Sequence, residues 1–236
     1  MYRKPGTPDP IVVSHLNHWY GSGETRIQVI FDATLSIAPG SLTILKGPSG
    51  SGKTTLLTLI GCLRDVMDGS LRLLGTELNG ASEPAQVALR RRIGFIFQAH
   101  NLHASLTAQQ NVRMGLEVHG THGNRDRYDD AAAHALRMVG LDHRLHYLPG
   151  NLSGGQKQRV AVARALVGNP EIVMADEPTA ALDQESGRVV VEILKALGRE
   201  RGTTTLMVTH DDRIMGLADR VLTMEDGRIV SDTAPR

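Results

Sequence analysis

The run Gly47-Pro48-Ser49-Gly50-Ser51-Gly52-Lys53-Thr54 fits G-x-x-x-x-G-K-[ST] at every fixed position, the pattern of a phosphate-binding loop between a strand and a helix. An apolar run at 42–45 leads into it, and Thr55-Leu56-Leu57-Thr58-Leu59-Ile60 leads out and is stopped by Gly61, which predicts a buried strand before the loop and a helix after it. In that setting glycines let the backbone curl until successive N–H groups converge on phosphate oxygens at the positive end of the helix. Lys53 then reaches the β- and γ-phosphates of a nucleotide, and the Thr54 hydroxyl can hold Mg²⁺. The competing reading, a glycine-rich turn that matches by accident, does not account for the flanking strand and helix.

With 236 residues, 41% of them hydrophobic, the chain can fill the core of one large domain or two small ones. A formal net charge of +1 gives no sign of a nucleic-acid surface, and Arg90-Arg91-Arg92 reads as a solvated helix end or turn. One cysteine, Cys62, leaves no internal disulfide and follows the phosphate-loop helix directly, where a small packing residue is expected. No stretch approaches the roughly 18–20 apolar residues of a membrane span, and Met1-Tyr2-Arg3-Lys4-Pro5 lacks a signal-peptide core, so a cytosolic protein is expected. The histidines show no H-x-x-x-H spacing; His100, His103, His119 and His122 read as surface or packing residues.

Residues 1–10 read as a loose tail, followed by a strand from Ile11 towards Tyr20, a break at Gly21-Ser22-Gly23, and one or two strands over 27–37 ahead of Pro39-Gly40. This predicts an antiparallel layer before the nucleotide loop. Trp19 and Tyr20 are the clustered large aromatics here, so one of them is a candidate platform for an adenine ring, the other packing on the layer. A short strand and turn at 69–75, a polar helix at 82–91 and a strand at 93–97 come next, and then helical patterns at 106–117 and 127–139 read as an insertion in an α/β domain. Ser153, as N-cap, and Gln156, three residues on, predict a capping box. Capping does not explain the consecutive Gly154 and Gly155, which cost helix propensity but admit an anion close to the backbone. A strand at 172–175, a helix at 184–201, a strand at 204–208 and a terminal hairpin through Asp226-Gly227 complete the chain.

Four apolar runs each deliver polar residues at their C-terminal ends: Leu45 the phosphate loop, Phe97 Gln98, Ala175 Asp176 and Glu177, and Val208 His210. In an open parallel sheet that edge is where ligands bind. Phosphoryl transfer to water needs neutralised charge on the β–γ bridge, a metal, and a group that orients or deprotonates water. Asp176 suits the Mg²⁺ shell and Glu177 the general base, while Gln98 can touch metal or water and His210 can donate to the γ-phosphate.

These residues, over essentially the whole chain, resemble the nucleotide-binding domain of ATP-binding-cassette (ABC) proteins. The phosphate loop, Gln98 (Q-loop), Leu152-Ser153-Gly154-Gly155-Gln156 (signature), Asp176-Glu177 (Walker B), Ala180-Ala181-Leu182-Asp183 (D-loop) and His210 (switch histidine) stand in the family's order. The resemblance implies a P-loop NTPase (RecA-like) α/β core with a mainly parallel sheet, an N-terminal antiparallel β layer and an inserted α-helical subdomain. As a single nucleotide-binding domain, 1–97 and 159–236 would form the core, and 98–158 the Q-loop and helical subdomain. It further implies ATP and Mg²⁺ as ligands: 47–55 (with Gly47, Pro48, Ser49, Gly50, Ser51, Gly52, Lys53, Thr54 and Thr55) on the phosphates, Tyr20 on the adenine with Trp19 as the fallback, and Thr54, Gln98 and Asp176 on the metal. In the family's head-to-tail homodimer Ser153, Gly154, Gly155 and Gln156 cover the γ-phosphate held by the other subunit, with Asp183 at the seam.

Within the family the chain is similar to the ATPases of lipoprotein release, macrolide export and cell division, whose permeases are of the MacB/FtsX type. Gln98-Ala99-His100-Asn101-Leu102, Leu106-Thr107-Ala108-Gln109-Gln110-Asn111-Val112, 177–183 and 218–228 carry a closer similarity to the DevA branch, exporters of glycolipid that work with a permease and a periplasmic adaptor. The implied function is an ATPase subunit, peripheral on the inner face of the plasma membrane, that powers export of a lipid, lipoprotein or hydrophobic compound. The alternative is a regulatory ABC ATPase that signals through an FtsX-like membrane protein to periplasmic cell-wall enzymes. Soluble ABC ATPases of DNA repair or translation usually carry two cassettes or a long coiled-coil insertion, neither visible here, and a GTPase would show a guanine-reading N-K-x-D motif, which is absent.

Overall fold

The computed structural model describes residues 8–117 and 125–233; His119 and His122 lie outside them. In chain order, β1 (Ile11–Tyr20) and β2 (Ile27–Ile37) precede β3 (Leu42–Lys46) and α1 (Lys53–Ile60), followed by β4 (Asp68–Leu73), β5 (Thr76–Glu77), α2 (Glu83–Arg90) and β6 (Ile93–Ile96). Then come α3 (Ala108–Glu117), α4 (Arg125–Met138), α5 (Gly154–Leu166), β7 (Ile172–Asp176), α6 (Gln184–Arg201), β8 (Thr204–Val208) and the hairpin of β9 (Arg220–Glu225) and β10 (Arg228–Thr233).

The strands form a six-stranded sheet in the order β10-β9-β3-β8-β7-β6 and a four-stranded antiparallel sheet in the order β2-β1-β4-β5. In the larger sheet all neighbours from β9 to β6 run parallel. Residues 172–175 and 204–208 are buried throughout, as a parallel strand covered on both faces demands. Side-chain alternation divides them between two cores. Ile44, Val173, Ala175 and Met207 point into a cluster with α3, α4, α5 and α6. Leu45, Met174, Leu206 and Val208 point into the other, shared with α1 and the antiparallel sheet.

Residues 27–37 form one strand, within the one or two expected, in which Asp32 takes a positive φ of 51°. Several other elements differ from the sequence reading. The antiparallel layer also takes up β4 and β5, which follow α1, because β1 pairs with β4 as well as with β2. The described end of the tail is fixed: Pro10 is buried and its carbonyl accepts from Leu74 N at 2.7 Å. The arginine run is only partly solvated. Arg90 Nη1 donates to Cys62 O at 3.0 Å, and Arg92 makes two hydrogen bonds to Glu171 at 2.5 and 2.8 Å. Cys62 is buried, and burial pushes its thiol up to about 11, consistent with a packing residue. Helix α5 passes close to both neighbours: a Cβ on Gly115 would lie 2.5 Å from Arg164 O, and one on Gly94 2.3 Å from Ala165 O.

Candidate functional site

The register brings the four polar strand ends onto one line. Leu45 pairs with Val208, Val208 with Asp176, and Ala175 with Ile96, so the residues after each strand emerge side by side. The parallel order β3-β8-β7-β6 accomplishes what no local stretch of sequence specifies.

At the centre the loop 47–52 turns on three glycines with positive φ: Gly47 at 149°, Gly50 at 82° and Gly52 at 97°. Gly47 is also a close approach, since a Cβ there would sit 1.9 Å from Met224 O. Gly227 N donates to Ser51 O at 3.1 Å, so the β9–β10 turn supports the loop from behind. Helix α1 starts at Lys53, two residues earlier than the apolar pattern indicated, and its N-cap, Gly52, supplies no side-chain cap. The first amides of α1 are therefore left with neither an intrahelical partner nor a side-chain cap, in a loop open to a phosphate group. Lys53 Nζ donates to Gly47 O and Pro48 O, both at 2.8 Å, which places its ammonium over the loop.

Thr54 Oγ1 donates to Asp176, 3.2 Å from Oδ2 and 3.4 Å from Oδ1. A hydroxyl and a carboxylate form an oxygen-only donor set suited to a small hard cation such as Mg²⁺. Burial, with the neighbouring Glu177 carboxylate, raises the Asp176 pKa, against the Thr54 hydroxyl bond and the Lys53 charge. A cation held there would reverse that balance. Glu177 has a positive φ of 49°, its amide donates to Val208 O at 2.9 Å, and its side chain is only 12% exposed. Its Oε1 accepts from His210 Nδ1 at 2.7 Å, whereas its Oε2 is buried without a hydrogen-bond partner. That bond, together with the carboxylate charge, raises the His210 pKa above its ordinary value. Gln98 stands exposed in the loop after β6.

Of the two aromatics, Tyr20 is the one joined to the phosphate-loop helix. Its Oη is 3.0 Å from Thr55 Oγ1 and the Arg64 guanidinium lies 4.9 Å from its ring centroid, while Trp19 lies under Arg26 at 4.4 Å. Ser153 and Gln156 complete the capping box, with bonds of 2.9 and 3.2 Å, and leave Gly154 exposed and Gly155 half-buried in the first turn of α5. Among the described residues no hydrogen bond is found between 153–156 and the phosphate loop. Asp183 N-caps α6, accepting from Ser186 N at 2.9 Å and Ser186 Oγ at 2.8 Å.

Sequence reasoning passed over the residues that hold these loops. Asp211 pairs with Arg213 at 2.7 and 2.8 Å and accepts from Thr179 Oγ1 at 3.5 Å, joining the loop after β8 to the loop after β7. The Asp-x-Arg spacing at a helix start was the available signal. Arg164 donates to the carbonyls of Asn101 and His100 at 2.6 and 2.8 Å, pairings 63 and 64 residues apart that left no local trace.

A family model described as ABC transporter matches residues 30–180. This chain belongs to the ABC transporter family. The cassette is 45% identical over 225 residues to the macrolide export ATP-binding/permease protein MacB of Neisseria meningitidis, a match that covers 95% of this chain and 34% of that one. It thus spans about a third of the length of the MacB relatives. It is 43% identical over 227 residues to the lipoprotein-releasing system ATP-binding protein LolD of Bordetella pertussis, covering 96% of this chain and 97% of LolD. Among solved structures, a dimeric post-hydrolysis state of the ATP-binding cassette MJ0796 bound to ADP and Pi superposes with a TM-score of 0.89 at 34% identity, covering 96% of this chain and 99% of that one. The chain is therefore an ABC ATPase cassette, with the α/β fold of the P-loop NTPases. No helix among the described residues is long and apolar enough to cross a membrane.

Proposed function

We propose that this cassette works as one of a head-to-tail pair and powers export of a lipid, lipoprotein or other hydrophobic compound through a separate permease of the MacB/FtsX type. One observation carries the catalytic part: the row Thr54–Asp176–Glu177–His210 along adjacent strand ends, with Glu177 Oε2 buried and unpartnered beside a fixed Oε1. In this reading the amides of 47–55 and the Lys53 ammonium bind the phosphates, and Tyr20 stacks on the adenine. Thr54, Asp176 and Gln98 would hold Mg²⁺, which neutralises charge on the β–γ bridge. Glu177 Oε2 takes the proton of the attacking water, while His210 keeps the carboxylate in place and presents its ring at the γ-phosphate.

The signature turn of 153–156 makes no hydrogen bond to its own phosphate loop among the described residues, which supports pairing with a second copy, in which Asp183 would lie at the seam. The division into a core (1–97 and 159–236) and an insertion (98–158) belongs to the same reading. A cavity of about 430 Å³ bounded by Arg90, Phe95, Phe97, Asn101, Met114 and Arg164 lies between α2 and the helices that follow the Gln98 loop. It is our candidate seat for the permease and would hold the cassette on the cytoplasmic face of the inner membrane. A periplasmic adaptor would join through the permease.

The test is to tag the Glu177→Gln form in its native host, solubilise membranes gently in ATP, and identify what co-purifies. Recovery of a MacB/FtsX-type permease with an adaptor is the expected result. A permease with a cell-wall hydrolase would replace export with the regulatory reading, and a partner-free dimer would overturn the transport role.

A further inference from the structure

The loop that carries Gln98 is tied to the insertion helices at several points. Arg164 of α5 clamps the carbonyls of His100 and Asn101, and Asn111 of α3 both accepts from His103 N at 2.7 Å and donates to His103 O at 3.1 Å. A further contact reaches the start of α5 itself: His100 Nε2 lies 3.0 Å from Gly154 O and donates to it. This first turn has few other handles. Ser153 and Gln156 spend their side chains on each other in the capping box, and a Cβ on Gly154 would meet nothing within 4 Å. On its far side Gly155 abuts the loop before α6, where a Cβ would lie 3.2 Å from Leu182 Cδ2. A carbonyl is the one polar group a glycine can offer a neighbouring element besides its amide, and the Gly154 amide faces the open end of the helix.

We infer that His100 is a positioning residue: its Nε2–H to Gly154 O bond sets the orientation of the α5 first turn relative to the Gln98 loop. The signature amides of a protomer are thereby held in register with the glutamine of its own nucleotide site. The inference rests on the head-to-tail reading for its consequence, since in that arrangement Gln98 and Gly154 of one chain serve different nucleotides. It does not rest on that reading for the tether itself. Each protomer would then present its signature turn already oriented for the partner's phosphate, and losing the bond leaves that turn free to sample other orientations.

The experiment compares His100→Ala, His100→Phe and His100→Gln, each in the Glu177→Gln background. Glutamine keeps an N–H at similar reach, and phenylalanine keeps bulk without a donor. Hydrogen exchange at the Gln156 and Lys157 amides, which bond to Ser153, reads the tether in the nucleotide-free monomer. Exchange there should rise about five- to tenfold in the alanine and phenylalanine forms, the size expected for one lost hydrogen bond, and stay near the parent rate in the glutamine form. The ATP concentration needed for half-maximal dimer formation in sedimentation should rise by a similar factor of about five to ten in the same two forms and recover in glutamine. ADP affinity of the monomer should be unchanged in all three.

Unaltered exchange in His100→Ala, or a glutamine form that exchanges as fast as the alanine form, overturns the tether. Altered exchange with unaltered dimer formation overturns its positioning role. Should the Glu177→Gln parent itself fail to dimerise in ATP, the paired-cassette reading falls and takes the positioning role with it, while the exchange rates still decide the tether.

Discussion

Glu177 divides its carboxylate between two tasks, one oxygen held by His210 at 2.7 Å and the other buried and unpartnered. Glu177→Gln is expected to retain nucleotide binding and lose about 10²- to 10⁴-fold in turnover, the usual contribution of a positioned general base. Steady-state phosphate release beside ADP affinity checks this, and near wild-type release would remove Glu177 from the role. The same substitution removes the carboxylate charge and weakens the bond that raises the His210 pKa, so that pKa should fall towards its ordinary value. Imidazole shifts followed by NMR across pH 5–9 in both forms report it, with the Glu177→Gln curve displaced to lower pH. At position 153 capping and the proposed phosphate recognition are separable: aspartate caps a helix as well as serine but adds a negative charge. Ser153→Asp should therefore melt within about 1 kcal/mol of the parent yet fail to form the ATP-dependent dimer. A variant that dimerises normally would leave Ser153 a cap alone.

Elements in this molecule meet at distances that admit no side chain. Gly198 of α6 and Gly40 of the β2–β3 turn face each other: a Cβ on Gly198 would lie 2.4 Å from Gly40 O, and one on Gly40 2.8 Å from Gly198 O. Gly40 also has φ 68°, so both the contact and the backbone select glycine there. Helix propensity alone would favour alanine at 198. Gly198→Ala should instead destabilise the domain by about 1–3 kcal/mol, as overpacking does, seen as a lower urea midpoint at unchanged slope. A stabilised variant would mean that α6 can move outward freely. The periodicity of α6 predicted its span, Gln184–Arg201, in full, because a regular apolar stripe and a Gly202 stop agree; the Asp183 cap came only with the structure. The interruption of that stripe by a glycine carried no such message, since the reason for it lies 158 residues away in the chain.

For the whole molecule, three ion pairs bear on the pH dependence of folding: Arg92–Glu171 between segments 79 residues apart, Arg220–Asp232 across the terminal hairpin, and the local pair Arg213–Asp211. The arginine hydrogen bonds hold the Glu171, Asp211 and Asp232 carboxyls below their usual range. Because their folded pKa values lie below the unfolded ones, the unfolded chain takes up protons first as the pH falls. The contribution of these pairs is complete above the unfolded carboxylate values of about 4 and disappears as pH drops through the folded values. The difference in urea midpoint between the parent and Glu171→Gln should be constant between about pH 5 and 7 and shrink below about pH 4, so that the variant falls less steeply there. An equal fall in that variant would assign the acid sensitivity to other carboxylates.

The class of fold was legible in the sequence, because continuous apolar runs mark strands buried on both faces. Lys53, Thr54, Gln98, Asp176, Glu177 and His210 stood out as candidates, because a phosphate site demands fixed residue types at fixed spacings. Which of these residues meet is set by the packing of the folded chain. The choice of Tyr20 over Trp19 as neighbour of Thr55 depends on how β1 lies against α1. The capture of β4 and β5 by the antiparallel sheet depends on a free edge of β1. The clamps of Arg164 on 100–101, His100 on Gly154 and Asp211 on Thr179 join polar groups whose sequence contexts are ordinary. Periodicity and motif spacing report on interactions a few residues long, whereas these contacts are fixed by strand order and helix packing, which emerge only when the two cores close on either side of the sheet.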